Sequence, residues 1–140
     1  MLKIKILSPG KTKERWLQDA LGEYLKRLKP TIAIEFIVPR DDNHLAALAS
    51  KEDSIILLDP KGEDLTSEGF CDTLYRALES GGSRATFVIG GPDGLPESLK
   101  GEGTMIRLST MTFTHQMTRL ILLEQIYRAT EIRRGSSYHK

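Results

Sequence analysis

The side chains best suited to moving a proton or gripping a nucleotide gather between residues 115 and 140. His115 opens a stretch of helical periodicity that also carries Glu124 and Arg128, four residues apart, and Tyr138, His139 and Lys140 close the chain. A histidine at a helix start can act as a base, contact a phosphate or sit buried as a structural group. The Glu124–Arg128 spacing gives at least an intrahelical ion pair worth ~0.3 kcal/mol, and its place on an otherwise apolar helix points to a further role. The closing residues are either a frayed end or an aromatic, an imidazole and a cation that stack on and contact a nucleotide.

Two loops are the other candidates. Gly90-Gly91-Pro92-Asp93-Gly94 suits either a ligand approached by bare backbone or a tight strand-to-helix turn, because glycine has no Cβ and tolerates positive φ. Leu108 to Gln116, LSTMTFTHQ, mixes hydroxyls with apolar side chains. That mixture fits a flat ligand held by backbone hydrogen bonds between apolar walls, and equally a loop in which Thr112 or Thr114 caps the next helix. Cys71, beside Phe70, and Trp16 are expected in the core. One cysteine forms no internal disulfide, and no Cys/His cluster has zinc spacing, so no metal is expected. Walker, HExxH, GxSxG and dinucleotide fingerprints are absent.

These residues need a frame to bring them together. Leu2, Ile4 and Ile6 alternate with lysines, predicting a strand closed by Ser8-Pro9-Gly10. A helix is predicted from Thr12 to Leu28, closed by Pro30, then a strand over Thr31–Val38 and a short helix capped by Asp41 or Asp42 and running to Ser50. Ser54–Leu58 is a compact apolar strand emptying into an Asp59–Gly62 loop. Thr66 or Ser67 caps a helix through Leu78, and Ala85–Ile89 is the fourth strand. Leu95–Lys100 forms a short helix, Thr104–Leu108 the fifth strand, His115–Thr130 a long helix and Arg133–Lys140 a basic tail. Alternating strands and helices predict an α/β domain with a mostly parallel sheet of five to six strands and helices on both faces. Ligands in such sheets sit outside the carboxyl ends of the strands. The loops at Asp59–Gly62, Gly90–Gly94 and Ser109–Thr114 are expected to converge there.

The final helix is apolar around nearly its whole circumference, through Met117, Leu120, Ile121, Leu122, Leu123, Ile126, Tyr127 and Ala129. A surface helix is apolar along one stripe only. The economical second partner for this one is its copy in a second chain, which predicts a symmetric homodimer.

At 140 residues and 15.7 kDa the chain is one domain, residues 1–140, with too little sequence for two well-filled cores. Hydrophobic residues at 39% and charged residues at 28% predict a folded globular chain. No apolar run approaches the ~20 residues of a membrane span, and the alternating N-terminus is unlike a secretory signal; no membrane partner and a cytoplasmic location are expected. The net charge of +1 conceals a partition. Residues 1–30 hold eight Lys/Arg against three acids, residues 31–114 seven against fourteen, and residues 115–140 five against two. Basic ends around an acidic middle allow a polyanion site inside a neutral average.

LLDPKGEDLTSEGF at Leu57–Phe70, FVIGGPDGL at Phe87–Leu95, LSTMTFTHQMTRLILLEQIYRA at Leu108–Ala129 and RRGSSYHK at Arg133–Lys140 together resemble the RlmH family. These are SPOUT-class 23S rRNA (pseudouridine-1915 N3) methyltransferases, and the likeness runs through nearly the whole chain. The resemblance implies a SPOUT-type α/β fold with a C-terminal trefoil knot, an obligate homodimer and S-adenosyl-L-methionine as methyl donor. By motif match the cofactor is lined by Leu58, by Gly91 with Gly90 beside it, and by Leu108, Ser109, Thr110, Met111, Thr112 and Phe113. His115, Glu124, Arg128, Tyr138 and His139 are then expected to shape the catalytic site, with the tail of one subunit reaching the cofactor site of the other. The implied substrate is 23S rRNA within the assembled 70S ribosome. This sequence departs from the family's pattern at Thr114, where a proline is usual, and in a short segment between the second and third strands.

Two other functions fit the same residues. One is a SPOUT enzyme acting on tRNA or on another rRNA base. The other is a non-catalytic ribosome-binding or anion-binding α/β module whose glycine loop serves as an anion nest.

Overall fold

The structure, a computed structural model, describes all 140 residues. Five strands form one sheet: β1 (Leu2–Leu7), β2 (Ile32–Ile37), β3 (Ile55–Asp64), β4 (Arg84–Ile89) and β5 (Thr104–Arg107). Their order is β2-β1-β4-β3-β5 and every neighbouring pair is parallel. Four helices connect them: α1 (Arg15–Leu28), α2 (Asp42–Ser50), α3 (Ser67–Ser80) and α4 (His115–Arg134).

The period-2 alternation of the strands divides the core. Ile4, Ile6, Ile56, Leu58, Phe87 and Ile106 face a layer made by α1, α3 and α4, with Leu17, Leu21, Phe70, Leu74, Leu122, Leu123 and Ile126 buried against them. Leu7, Leu57 and Val88 face the other way, onto Leu45 and Ala49 of α2 and onto Leu95 and Leu99. Cys71 is buried as expected, its Sγ donating to the Ala129 carbonyl. Helices therefore cover both faces.

Four expectations change. The Asp59–Gly62 segment is not a free loop, because β3 continues through it to Asp64. The turn chemistry is real, with Asp59 Oδ1 accepting from the Lys61 N–H at 2.8 Å. The chain bulges there and then rejoins β5, Glu63 and Asp64 pairing with Ile106 and Arg107. Gly62 makes the return possible, since a Cβ on it would lie 2.4 Å from the Ile106 carbonyl carbon. Arg107 clasps the returned segment, Nε and Nη2 donating to Asp64 at 2.6 and 2.8 Å, and its guanidinium holds the Asp64 carboxyl below the usual carboxylate range.

Leu95–Lys100 shrinks to one 3₁₀ turn, Glu97–Leu99, because Pro96 favours an extended neighbour on its N-terminal side. Trp16 lies outside the core, 58% exposed, while Leu17, Leu21 and Leu28 supply the buried face of α1. Finally, α4 finds much of its cover within its own chain, lying against both α1 and α3. Its half-buried residues include Met117 and Ile121, which do not join the main apolar cluster.

Candidate functional site

The carboxyl edge of β3, β4 and β5 assembles the expected cofactor residues. Leu58 pairs with Ile89 on one side and Ile106 on the other, so it lies between the points where the Gly90–Gly94 and Leu108–Thr114 segments leave the sheet. Gly90 and Gly91 then differ in purpose. A Cβ on Gly90 would lie 2.5 Å from the Gly94 carbonyl carbon, so its bareness serves the turn itself, which the Gly91–Gly94 bridge closes. A Cβ on Gly91 would meet nothing nearer than the Pro9 ring at 3.8 Å; backbone there stands open to a ligand.

The Leu108–Phe113 segment is open in the same sense. Met111 N–H is occupied by the Ser109 hydroxyl at 2.9 Å, whereas the N–H groups of Ser109, Thr110, Thr112 and Phe113 donate to nothing within the chain. Met111 and Phe113 are exposed at 74% and 37%. Unpaired amides beside apolar side chains suit a flat ligand held by backbone hydrogen bonds between apolar walls. Thr114, not Thr112, caps α4, its Oγ1 accepting from the Met117 N–H at 3.2 Å.

The five expected catalytic residues fall into two groups. His115 stands at the start of α4 against the β1–α1 loop, where a Cβ on Gly10 would lie 3.2 Å from its Nε2. Glu124 and Arg128 follow nine and thirteen residues later, roughly 14 and 20 Å along the helix, and the tail folds back onto them. Tyr138 Oη donates to Glu124 Oε2 at 2.8 Å. Arg128 pairs with Glu124 at 3.3 Å, stacks its guanidinium 4.9 Å from the centre of the Tyr138 ring and donates from Nη1 to His139 Nδ1 at 3.0 Å. His139 Nε2 reaches Glu68 of α3 at 2.9 Å.

Arginine only donates and carboxylate only accepts, so this arrangement suits the His139 tautomer protonated on Nε2. Burial, reinforced by the hydrogen bond to Glu124, pushes the Tyr138 hydroxyl up to about 12. The phenol therefore acts at neutral pH as a hydrogen-bond donor, not as a base. Tyr127 supports it with an edge-on ring at 4.9 Å. The tail is thus docked on its own α4 and α3, away from the His115 end of the same chain.

Two contributors escaped the sequence reading. Glu68 sits in the first turn of α3, where an acid is explained by the helix dipole alone, and no local signal ties it to residue 139. Arg119 had a signal: it is a charge inside the apolar run of α4. It is 2% exposed. Its guanidinium donates to Ser8 Oγ at 2.8 Å, Thr12 Oγ1 at 2.8 Å, Gln116 Oε1 at 3.4 Å and the carbonyls of Ser8 (3.4 Å), Pro9 (2.5 Å) and Gly10. All these acceptors are neutral. Burial pushes the guanidinium below its usual value. Gln116 adds a bond to the Lys11 carbonyl at 2.9 Å, so α4 holds the β1–α1 loop beside both His115 and Gly91.

No group of three or more His, Cys, Asp or Glu side chains is placed to hold a metal ion, and no helix is long and apolar enough to cross a membrane. The family model described as "Predicted SPOUT methyltransferase" matches residues 2–139. The chain is 56% identical over 140 residues, the full length of both, to the ribosomal RNA large subunit methyltransferase H of Protochlamydia amoebophila. Proteins of the same name from Halothermothrix orenii and Symbiobacterium thermophilum are 39% and 38% identical over 160 and 161 aligned positions, covering 99% of this chain and all of theirs. A parallel five-stranded α/β sheet and a family match over all but the two terminal residues together place this chain: it belongs to the SPOUT methyltransferases, in the ribosomal RNA large subunit methyltransferase H family.

Proposed function

We propose that this protein transfers a methyl group from S-adenosyl-L-methionine to ring N3 of a pseudouridine in 23S rRNA of the assembled 70S ribosome, working as a homodimer. The observation that carries the reading is the open backbone of Leu108–Phe113 beside Leu58 and Gly91, within a chain of this family. The bound donor supplies an electrophilic methyl on a cationic sulfur. The protein's part is to align donor and acceptor, exclude water and leave the acceptor nitrogen unprotonated.

The imide proton of the acceptor ring must go to a base. Of the five candidate groups, His115 has ring nitrogens with no hydrogen-bond partner in the chain, so it accepts a proton without first giving up a contact. Tyr138 and His139, held by Glu124, Arg128 and Glu68, form a preorganised aromatic surface on which a nucleotide base stacks. One chain keeps that surface about three turns of helix from His115. Met117, Ile121, Glu124 and Arg128 recur along one outward face of α4, and a second copy docked on this face would bring its cofactor loops to the first copy's tail. The C-terminal knot implied by the family belongs to the same reading.

Mixing tests this arrangement. A variant lacking Tyr138–Lys140 and a Gly91→Trp variant, each inactive alone, should regain about a quarter of wild-type transfer once their subunits exchange, since half of the dimers then hold one intact site in two. No recovery in verified mixed dimers would overturn the shared site. Isothermal titration with S-adenosyl-L-methionine tests the donor, and labelling of 70S ribosomes, 50S subunits, naked rRNA and tRNA tests the acceptor. Preferential labelling of tRNA would overturn the substrate.

A further inference from the structure

We infer that the β1–α1 loop and first turn of α1, through Lys11, Lys13 and Trp16, form the surface that grips the sugar–phosphate backbone and one base of the RNA substrate. The inference rests on the rRNA methyltransferase reading and names the part of this chain that holds the RNA.

Three observations converge on the segment. The first is charge without compensation. Arg119, directly beneath the loop, meets six oxygens and no carboxylate, so its full positive charge remains to attract an anion from a poorly screened position. Lys11 and Lys13 are exposed and neither enters an ion pair. Elsewhere the basic N-terminal segment is partly neutralised, Lys5 by Glu52 at 2.7 Å and Arg27 by Glu23 at 2.9 Å. The acids nearest in sequence are Glu14 and Asp19, and Asp19 engages Arg15 at only 3.7 Å between two exposed side chains.

The second observation is Trp16. Burying an indole is strongly favourable, yet this one is 58% exposed on the solvent side of α1. Cations interleaved with an exposed aromatic ring are the composition of a surface that tracks a nucleic-acid backbone and stacks a base. The third is rigidity and place. Arg119 turns the carbonyls of Ser8, Pro9 and Gly10 inward, so the loop's outer side is left to its amides and lysines. Gln116 fixes the Lys11 carbonyl. The loop also touches His115 through Gly10 and faces Gly91 through Pro9, so RNA lying on it reaches the edge of the cofactor loops.

The test compares methyl transfer to 70S ribosomes by wild type, Lys11→Ala/Lys13→Ala, Trp16→Ala and a charge-matched control, Lys26→Ala/Lys29→Ala, at the far end of α1. For the Lys11/Lys13 variant we expect kcat/KM to fall about tenfold at moderate salt and its log–log salt dependence to become shallower by about 2, one for each lost phosphate contact. Binding of S-adenosyl-L-methionine should be unchanged. Trp16→Ala should lose about fivefold or more in kcat/KM with an unchanged salt slope, as expected for stacking.

A Lys11/Lys13 variant with the wild-type salt slope, or a control with an equal loss, would overturn the proposal. Dissociation of the Trp16 variant into monomers would overturn the role given to that residue. Wild type that methylates no RNA would instead remove the underlying enzyme reading, so the two failures are distinguishable.

Discussion

Two arginines of helix α4, Arg119 and Arg128, solve opposite problems. Arg119, near its start, is fully buried, bonded only to hydroxyls, an amide and carbonyls, and ties the helix to a loop at the other end of the sequence. Arg128, two and a half turns on, is partly exposed and shares itself among Glu124, Tyr138 and His139. A buried cation with many neutral acceptors is costly to remove because each acceptor is left unsatisfied. A partly solvated cation keeps much of its hydration, and its single ion pair at 3.3 Å contributes little to folding. The first arrangement builds a scaffold. The second keeps a surface in shape while leaving it available.

That contrast can be broken in several ways. The largest expected effect is on activity: deleting Tyr138–Lys140 should lower methyl transfer by about a hundredfold or more, with donor affinity and oligomeric state unchanged. Comparable turnover by the truncated protein would dissolve the distinction between the two regions. Next comes Arg119→Met, which should cost about 3 kcal/mol of unfolding free energy, read as a lower urea midpoint at constant slope. Arg119→Lys should recover part of that loss, because one ammonium cannot reach as many acceptors as a guanidinium fork. Arg128→Met should change stability by less than about 1 kcal/mol while impairing transfer; equal destabilisation by both arginine variants would erase the comparison.

The smallest effect sharpens it. Tyr138 has its folded value raised above its ordinary 10.0, to about 12. The stability this confers is fully present below pH 10 and is lost as pH rises toward 12. The stability difference between wild type and Tyr138→Phe should therefore be flat from neutral pH to about 10 and shrink above it. A difference that stays flat up to pH 12 would mean that the tail does not shield this hydroxyl.

Much of the frame was legible because it rests on local pattern. Alternation in Leu2–Ile6, the Thr66 cap and the Pro30 stop each act within a few residues, and the elements they predict are present. The misread positions depended on partners distant in sequence. Asp59–Gly62 has true turn chemistry, but whether the chain leaves the sheet or rejoins it depends on β5, more than forty residues away. Trp16 is apolar, yet Leu17, Leu21 and Leu28 already fill the buried face of its helix. The candidate site divides in the same manner. The glycine loop and Leu108–Phe113 announce themselves by composition, while Arg119 and Glu68 are defined by what they touch. The apolar circumference of α4 predicts cover from the chain's own sheet and from a second copy, and α1 and α3 of the same chain supply part of the cover assigned to that copy.

The clamp between Arg119 and Ser8 also sets an order of events in folding. Its partners are separated by 111 residues, so the contact cannot close until residue 119 has been made, and its loop-closure entropy must be repaid by contacts formed alongside it. During synthesis the Ser8–Lys13 loop emerges early and waits without a guanidinium for its inward carbonyls until α4 has been made. A nascent chain that has not yet reached α4 therefore lacks the guanidinium that fixes the loop's shape.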